Sequence, residues 1–159
     1  KLAPAFLKRL LMDEKKIKWC CKQKKGIGLT EIKPHLEESY IKESEKDLEE
    51  LHHAGQKWRI IIAYYSCYES LYSLLMKCGI KSEIHDCSIE LMELLGFEES
   101  EAIFLKNLKK AREGNQYYLE KNELKKIEKV KEFVLKCKEI SKSLNSEKIN
   151  EIRKIIKDI

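Results

Sequence analysis

The stretch WRIIIAYYSCYESLYSLLMKC, residues 58–78, decides the fold class of this chain. Charge interrupts it only at Arg59, Glu69 and Lys77. A helix that is apolar over most of its circumference is buried on several sides. The pattern therefore predicts a central helix over residues 57–78, ended by Gly79. Its apolar and aromatic residues recur in steps of three and four, the period of an α-helix; they are Ile61, Tyr64, Tyr65, Tyr68, Leu71, Tyr72 and Leu75.

Composition favours further long helices joined by short connections. The 159 residues include only 2 Pro and 6 Gly, and 37% of them are charged. No stretch shows the two-residue alternation of a strand. The sequence therefore predicts one all-α domain over residues 1–159, an up-and-down bundle of four main long helices with short additional helices. The other predicted helices cover residues 4–24, 34–53, 88–95 after a cap at Asp86, 100 up to a break at Gly114 and Asn115, 122–144, and 146–158 after a cap at Asn145.

The net charge of +5 is unevenly distributed along the chain. Residues 1–26 have a balance of +7, residues 27–120 of −7 and residues 121–159 of +5. Two interpretations are open. If the two ends fold against each other, they form a basic face for a polyanion. Alternatively, the Lys and Glu residues solvate helix surfaces and do no more than this.

The six cysteines suggest neither disulfides nor zinc. A chain of this size does not need disulfides for stability, and no cysteine spacing is typical of a zinc site. Cys67 and Cys137 lie among apolar residues at helical spacing, so we expect both to be buried. The opening KLAPAFLKRLLM is too short and too interrupted by charge for a signal peptide, and no window is long and apolar enough for a membrane span. We therefore expect a cytoplasmic protein with no membrane contact, no metal and no cofactor.

Signatures of catalysis are scarce. The sequence has no phosphate-binding glycine loop, no nucleophile elbow and no His-Glu-x-x-His pair. The neighbouring His52 and His53 point to different faces of a helix, so they cannot bind one metal together. His85, beside Asp86, opens a predicted helix. For His85 a capping or packing role and a catalytic role both stay open.

Several segments in their order resemble the HEPN (higher eukaryotes and prokaryotes nucleotide-binding) domain. A helix with a small residue and Tyr-Tyr at its centre runs to a glycine, here Ala63-Tyr64-Tyr65 and Gly79. A loop then places a histidine at the start of the next helix, here IHD at residues 84–86. A later helix ends in an arginine-containing segment, KKAREGNQYY at residues 109–118, and a last long helix covers residues 131–144. The resemblance extends over residues 35–145.

This resemblance implies a bundle of four or five helices that pairs into a symmetric dimer. Many members of the family are metal-independent endoribonucleases with an arginine followed, after four to six residues, by a histidine. Arg112 matches the arginine, but residues 117–119 are Tyr117, Tyr118 and Leu119. Tyrosine has a reference pKa near 10 and is a poor general base at neutral pH. The departure favours a binding module without catalysis.

A binding function leads to a set of candidate residues around Arg112. Arginine and lysine bind phosphate, and an aromatic ring stacks on a base. A hydroxyl from the central helix is expected to reach Arg112, because buried tyrosines need hydrogen-bond partners. The alternative is structural, with Arg112 paired to Glu113 or Glu120 and the two tyrosines packing a helix junction. The predicted nucleotide- or RNA-binding residues are Arg112, Lys109, Lys110, Asn115, Tyr117, Tyr118 and Tyr65.

Three functions are compatible with these residues. The first is a non-catalytic HEPN-like module that binds a nucleotide, RNA or a partner protein through an Arg112-centred cleft. The second is a metal-independent endoribonuclease toxin, paired with a minimal nucleotidyltransferase as its antitoxin, in which Arg112 and His85 are the catalytic candidates. The third is a structural protein that forms a homodimer and binds no ligand.

Overall fold

A computed structural model describes residues 13–159 of the chain, and within this part it is an all-α bundle. Four long helices form its body, as predicted. A single pair of two-residue strands, which the sequence did not indicate, joins the segment after the first helix to the segment after the third. The helices are α1 (Glu14–Lys22), α2 (Pro34–Glu50), α3 (Gln56–Lys77), α4 (His85–Glu90), α5 (Met92–Leu95), α6 (Glu99–Tyr117), α7 (Ile127–Ser143) and α8 (Ser146–Asp158); the strands are β1 (Gly28–Leu29) and β2 (Ile80–Lys81).

Helix α3 is the centre of the bundle, which confirms the expectation from residues 58–78. It packs against α2, α6 and α7. Tyr64, Cys67 and Leu71 are fully buried, and Cys137 of α7 is buried with them. The predicted roles of Cys67 and Cys137 as small buried side chains are therefore confirmed.

Two serines bring α2 and α3 close together. The hydroxyl of Ser44 donates to the carbonyl of Ser66 at 2.6 Å, and the hydroxyl of Ser66 donates to the carbonyl of Ser44 at 2.8 Å. Both side chains are fully buried. Each helix thus satisfies a buried hydroxyl of the other, which is the condition for placing polar groups in a core.

The end of α3 is fixed by a glycine and an arginine from the other end of the chain. Gly79 has a φ of 63°, a left-handed conformation that suits the residue after a helix. Nη1 of Arg153, on α8, donates to the carbonyls of Thr30, Cys78 and Gly79 at 3.0, 2.9 and 2.8 Å. A side chain at Gly79 would collide with this guanidinium. Next to it, β1 and β2 pair antiparallel, with Gly28 opposite Lys81.

The predicted break at Gly114 and Asn115 is wrong, because α6 continues through both residues to Tyr117. Glycine is needed there for a close approach: a Cβ at Gly114 would collide with the side chain of Glu120 in the following connector. The Asn115 amide accepts from the backbone N–H of Asn122 at 2.8 Å and donates to its carbonyl at 2.9 Å. Both residues thus hold the connector against the helix.

Several predicted helix ends shift. The predicted helix over residues 122–144 begins at Ile127, because Asn122 belongs to the connector. The short helix predicted from Ser88 begins at His85, so Asp86 lies in its first turn and does not cap it. Glu98 replaces Ser100 as the cap of α6, through a reciprocal pair with Glu101. The cap at Asn145 is confirmed. Of the helix predicted over residues 4–24, the part up to residue 12 lies outside the described residues, and the rest is α1.

The expectation that the cysteines form no disulfide is wrong. Cys20 of α1 and Cys87 of α4 are bonded to each other across 67 positions of sequence. The length of a chain bears on whether it needs a disulfide for stability. It does not indicate whether folding brings two particular cysteines together. The bond joins α1 to the short helix that carries His85. Among the described residues, four other cysteines are free: Cys21, Cys67, Cys78 and Cys137.

Candidate functional site

His85 is the first residue of α4, and two tyrosines of α3 hold its imidazole ring. The ring stacks on that of Tyr68, with centroids 3.9 Å apart and planes 16° apart. Its Nδ1 lies 2.6 Å from the hydroxyl of Tyr64. Tyr68 in turn contacts the hydroxyl of Ser88 at 3.0 Å, one turn further along α4. The period of α3 therefore places Tyr64 and Tyr68 one turn apart, directly against the start of α4.

Arg112 of α6 lies against the same face of α3. Its guanidinium carbon is 4.7 Å from the ring centroid of Tyr64 and 5.5 Å from that of Tyr65. Nη1 donates to the hydroxyl of Tyr65 at 3.0 Å. The residue is only 6% exposed, so these cation–π contacts are formed largely away from water. The expectation that a tyrosine hydroxyl of the central helix reaches Arg112 is confirmed by Tyr65.

The polar groups of Arg112 are incompletely satisfied. Nη1 also reaches the side chain of Gln116 at 3.4 Å, and Nη2 lies 3.5 Å from a carboxylate oxygen of Glu113. Nε is buried and finds no hydrogen-bond partner within residues 13–159. A buried donor without an acceptor is costly to a fold. The guanidinium of Arg112 therefore carries an unsatisfied donor in the folded protein.

Lys109, one turn before Glu113 on α6, adds a second cation. Its Nζ lies 2.6 Å from a carboxylate oxygen of Glu113 and 3.2 Å from one of Asp86. Burial by itself would lower the pKa of Lys109, but these two carboxylates outweigh burial and raise it. Lys109 is therefore charged at neutral pH and bridges α6 to α4.

The environment of His85 keeps its imidazole neutral. Burial lowers the pKa of His85, and the nearby positive charges of Arg112 and Lys109 lower it further. Burial also raises the pKa of Tyr64, so its hydroxyl keeps its proton. A neutral imidazole has one nitrogen that donates and one that accepts. With Nδ1 occupied by Tyr64, the second nitrogen Nε2 is the one that could meet a substrate.

We call this group of side chains the Arg112 cluster. It combines two cations, one neutral imidazole and two tyrosine rings from three helices, with two carboxylates at its edge. Such a set can hold a phosphate between cationic donors and can supply a neutral nitrogen beside it. Its members are Arg112, Lys109, His85, Tyr64 and Tyr65, with Asp86 and Glu113 at the edge.

The contacts described for this cluster do not include the other predicted binding residues. Asn115 is fully buried and engaged with the connector, so its amide is not available to a ligand. Lys110 is exposed and forms no ion pair within the described part of the chain. Tyr117 and Tyr118 are 63% and 76% exposed, so neither packs a helix junction. The structure thus joins Arg112, Lys109, Tyr65 and His85, while Lys110, Tyr117 and Tyr118 stay predictions.

Tyr64 and Asp86 are members that sequence reasoning did not propose for the site. Tyr64 was assigned to the core, which is correct for its ring but overlooks its hydroxyl. Asp86 pairs with Lys109 across 23 positions of sequence, and no periodic pattern marks a contact of this kind. The pairing of Lys109 with Glu113 was visible, because residues four apart share a helix face.

No protein-family model, no curated protein and no solved structure matches this chain. Within residues 13–159, no three His, Cys, Asp or Glu side chains are grouped so that they could hold a metal ion. None of the described helices has both the length and the apolar character needed to cross a membrane. The geometry of the Arg112 cluster is therefore the observation that bears on function.

Proposed function

We propose that this chain is a HEPN-like helical module that binds the phosphate of a nucleotide or of RNA at the Arg112 cluster without cleaving it. The observation that carries the proposal is the buried guanidinium of Arg112. Two tyrosine rings hold it in place, and its Nε has no acceptor within residues 13–159. An arginine that two aromatic rings already hold in place loses little side-chain entropy on meeting phosphate.

The carboxylate of Glu113 occupies the position that a phosphate oxygen would take. It lies between Nζ of Lys109 and Nη2 of Arg112, at 2.6 and 3.5 Å. Glu113 is more exposed than either cation, so it can swing into solvent when a ligand arrives. A terminal nucleotide phosphate carries more negative charge than the carboxylate it would replace, which favours the exchange. A phosphodiester of RNA carries the same single charge as the carboxylate, so RNA would depend more on contacts of its other groups.

The proposal is tested with fluorescein-labelled single-stranded RNA and a labelled ATP analogue at low salt. Binding to wild type is expected to weaken at least tenfold in Lys109→Ala and in Arg112→Lys, which keeps the charge but loses the fork of donors. It is expected to strengthen in Glu113→Gln, which removes the competing charge. Lys154→Ala is the matched control, because it removes an equal charge from an exposed position of α8 that is not among the predicted binding residues.

The salt dependence of RNA binding separates a phosphate contact from general attraction. Removing one phosphate contact with a single strand lowers the slope of log K against log salt by about 0.7. Lys109→Ala should show this change and Lys154→Ala should not. Equal weakening by Lys109→Ala and Lys154→Ala, or no binding of RNA or nucleotide to wild type at low salt, would overturn the proposal.

A second candidate function is the metal-independent endoribonuclease, a toxin with a minimal nucleotidyltransferase as its partner. The observation that favours it is that Tyr64 contacts both His85 and Arg112. His85, kept neutral, would take the proton of a ribose 2′-hydroxyl, and Arg112 would stabilise charge at the phosphorus. RNA cleavage by wild type that is lost in both His85→Ala and Arg112→Lys would establish this activity. Cleavage that survives both substitutions would exclude it.

Cytoplasmic location and homodimer formation also remain proposals. Disulfides are rare in the reducing cytosol of most organisms, so the Cys20–Cys87 bond bears directly on location. Alkylation of free thiols in intact cells, before lysis, tests whether the bond exists there. Light scattering at micromolar concentration tests the dimer, and a monomer would also exclude the purely structural dimer.

A further inference from the structure

A groove runs along the outside of the bundle between α6 and α7. Both helices pack on α3 more extensively than on each other, so a gap stays open between them. Two adjoining cavities of about 310 and 230 Å³ lie in this gap and share Phe104 and Lys129 as lining residues. On α6 the lining runs from Ser100 to Ala111, which corresponds to three helical turns, or about 16 Å.

The floor of the groove is apolar. Ile60 of α3 and Leu108 of α6 form its base, and each is at most 5% exposed. Phe104 lines both cavities, and Phe133, whose ring centroid is 6.0 Å from that of Phe104, lines the smaller one. On α6, Ile103 precedes the lining residue Asn107 by one turn and is 48% exposed. An apolar floor with an exposed apolar flank is typical of a surface that another molecule covers.

Charge is unevenly distributed along the groove. The larger cavity is rimmed by Lys125, Lys126 and Lys129, with a single carboxylate, Glu123. These lysines are exposed, and none of the three forms an ion pair with another residue of the described chain. At the opposite end the charged rim residues besides Lys129 are Glu132 and Glu101, and Glu101 is paired with Lys136 at 3.7 Å. The end near the connector therefore carries a net positive charge, with three lysines against one carboxylate.

We propose that this groove binds an amphipathic helix of a partner protein, with acidic residues in the part that meets the three lysines. One wall is α6, and the other is formed by connector residues 123–126 and the first turns of α7. A helix laid along α6 can pack at the usual 8–10 Å from it. Apolar side chains at positions i, i+3, i+4 and i+7 of the partner would fill the floor. The length of the lining accommodates about three turns. This surface is separate from the Arg112 cluster.

The test uses a labelled 14-residue helical peptide with leucines at i, i+3, i+4 and i+7 and glutamates at its other positions. Fluorescence polarisation with the full chain is expected to give micromolar binding. A peptide with lysines in place of the glutamates is expected to bind at least tenfold more weakly. A scrambled peptide of the same composition is also expected to bind at least tenfold more weakly, because it cannot present one apolar face.

Two protein variants identify the surface. Lys125→Glu, Lys126→Glu and Lys129→Glu together should weaken the acidic peptide at least tenfold and improve binding of the basic one. Phe104→Arg should weaken both peptides, with circular dichroism confirming that the variant is folded. The control is the triple change Lys148→Glu, Lys154→Glu and Lys157→Glu, which alters an equal charge at exposed positions of α8 and should have little effect.

Other occupants of the groove would give different results. The proposal would be overturned if acidic and basic peptides bind equally well. It would also be overturned if the two triple Lys→Glu variants weaken binding of the acidic peptide equally. Tighter binding of dodecanoate than of the peptide, abolished by Phe104→Arg, would show a site for a small amphiphile instead. Self-association of wild type that Phe104→Arg abolishes, without peptide binding, would show that a second copy of the chain covers the groove.

Discussion

The hydroxyl of Tyr64 lies 2.6 Å from Nδ1 of His85, and this contact joins the central helix to the element that the disulfide holds in place. Tyr64 is fully buried, so its hydroxyl depends on His85 as a partner. The ring of the same tyrosine carries the guanidinium of Arg112 on α6. Protonation of His85 would therefore add a positive charge close to that of Arg112.

We expect His85 to titrate below the ordinary range of histidine. Burial and then Arg112 lower the pKa of His85, so Arg112→Gln should raise it and Lys110→Gln should leave it unchanged. NMR spectra of the imidazole Cε1–H resonance measured against pH give the value directly. A pKa at or above the ordinary value of about 6.5 in wild type would contradict this environment.

The same shift predicts a dependence of stability on pH. Because the pKa of His85 is lowered by folding, the unfolded chain takes up a proton first as the pH falls below about 6.5. Stability from this group is therefore complete above that pH and is lost as the pH falls through the lowered value. His85→Gln should flatten this part of the curve of urea midpoint against pH. If the urea midpoint of His85→Gln depends on pH as steeply as that of wild type, groups other than His85 cause the pH dependence.

How much of this could be read from the sequence depends on how far the interacting residues lie apart. The helical period of residues 58–78 is a local pattern, and it predicted α3 and its burial. Arg112 and Lys109 lie on one helix face, so their proximity was also predictable. The contact of His85 with Tyr64 and the bond of Cys20 with Cys87 join distant segments, and only packing of the whole bundle brings them together.

Gly114 shows a second limit to what the sequence can predict. Gly114 indicated a break because glycine has a low helix propensity. In the fold its lack of a side chain instead admits the connector, whose Glu120 comes close. Sequence alone does not distinguish a glycine that ends a helix from one that makes room for a neighbour. Asn115 was a ligand-binding candidate because it lies in the Arg112 segment that resembles the HEPN family's site; in the fold its amide holds the connector.

Loss of the Cys20–Cys87 disulfide should destabilise the protein considerably. A bond across 67 positions restricts the unfolded chain, and its removal is expected to cost about 2–4 kcal/mol. Cys87→Ser should lower the urea midpoint under non-reducing conditions, and a reducing agent should lower it for wild type. Cys21→Ser is the control, because Cys21 is a free neighbour of Cys20. A midpoint for Cys87→Ser equal to that of wild type would contradict a stabilising bond.

Arg153 should stabilise the fold more than its position near the end of the described chain suggests. Its Nη1 donates to three backbone carbonyls, including those of Cys78 and Gly79 at the end of α3. Hydrogen bonds from a charged donor contribute about 1.5–3 kcal/mol to stability. A positive charge at the C-terminal end of α3 also interacts favourably with the helix dipole. Arg153→Ala should lower the free energy of unfolding by that amount.

The neighbouring Lys154 provides the control for Arg153, since it is exposed on the same helix. Lys154→Ala should change the urea midpoint only slightly. Arg153→Lys should recover part of the loss, because an ammonium group can reach some of the same carbonyls. Equal midpoints for Arg153→Ala and Lys154→Ala would show that the three hydrogen bonds do not stabilise the protein.

Glu69 of α3 lies in an unfavourable position against the acidic face of α2. Burial, followed by the negative charges of Asp47 and Glu43, raises the pKa of Glu69 to about 8. The pKa of Asp47 is raised as well, by burial and then by Glu43 and Glu50. One carboxylate oxygen of Glu69 is buried and has no hydrogen-bond partner within residues 13–159. The folded protein therefore holds a proton here that the unfolded chain would release.

Glu69→Gln should remove a loss of stability that wild type shows as the pH rises. Because the pKa of Glu69 rises from 4.5 to about 8 on folding, the folded state binds the extra proton between these values. Stability falls across this window as the proton is lost. Glutamine keeps the shape without the charge, so the variant should exceed wild type in urea midpoint at pH 8.5 and show a flatter profile from pH 5 upward. Glu49→Gln, an exposed change on α2, should leave the wild-type slope intact. If Glu69→Gln keeps that slope too, Glu69 is ionised in the folded protein and the acidic face tolerates its charge.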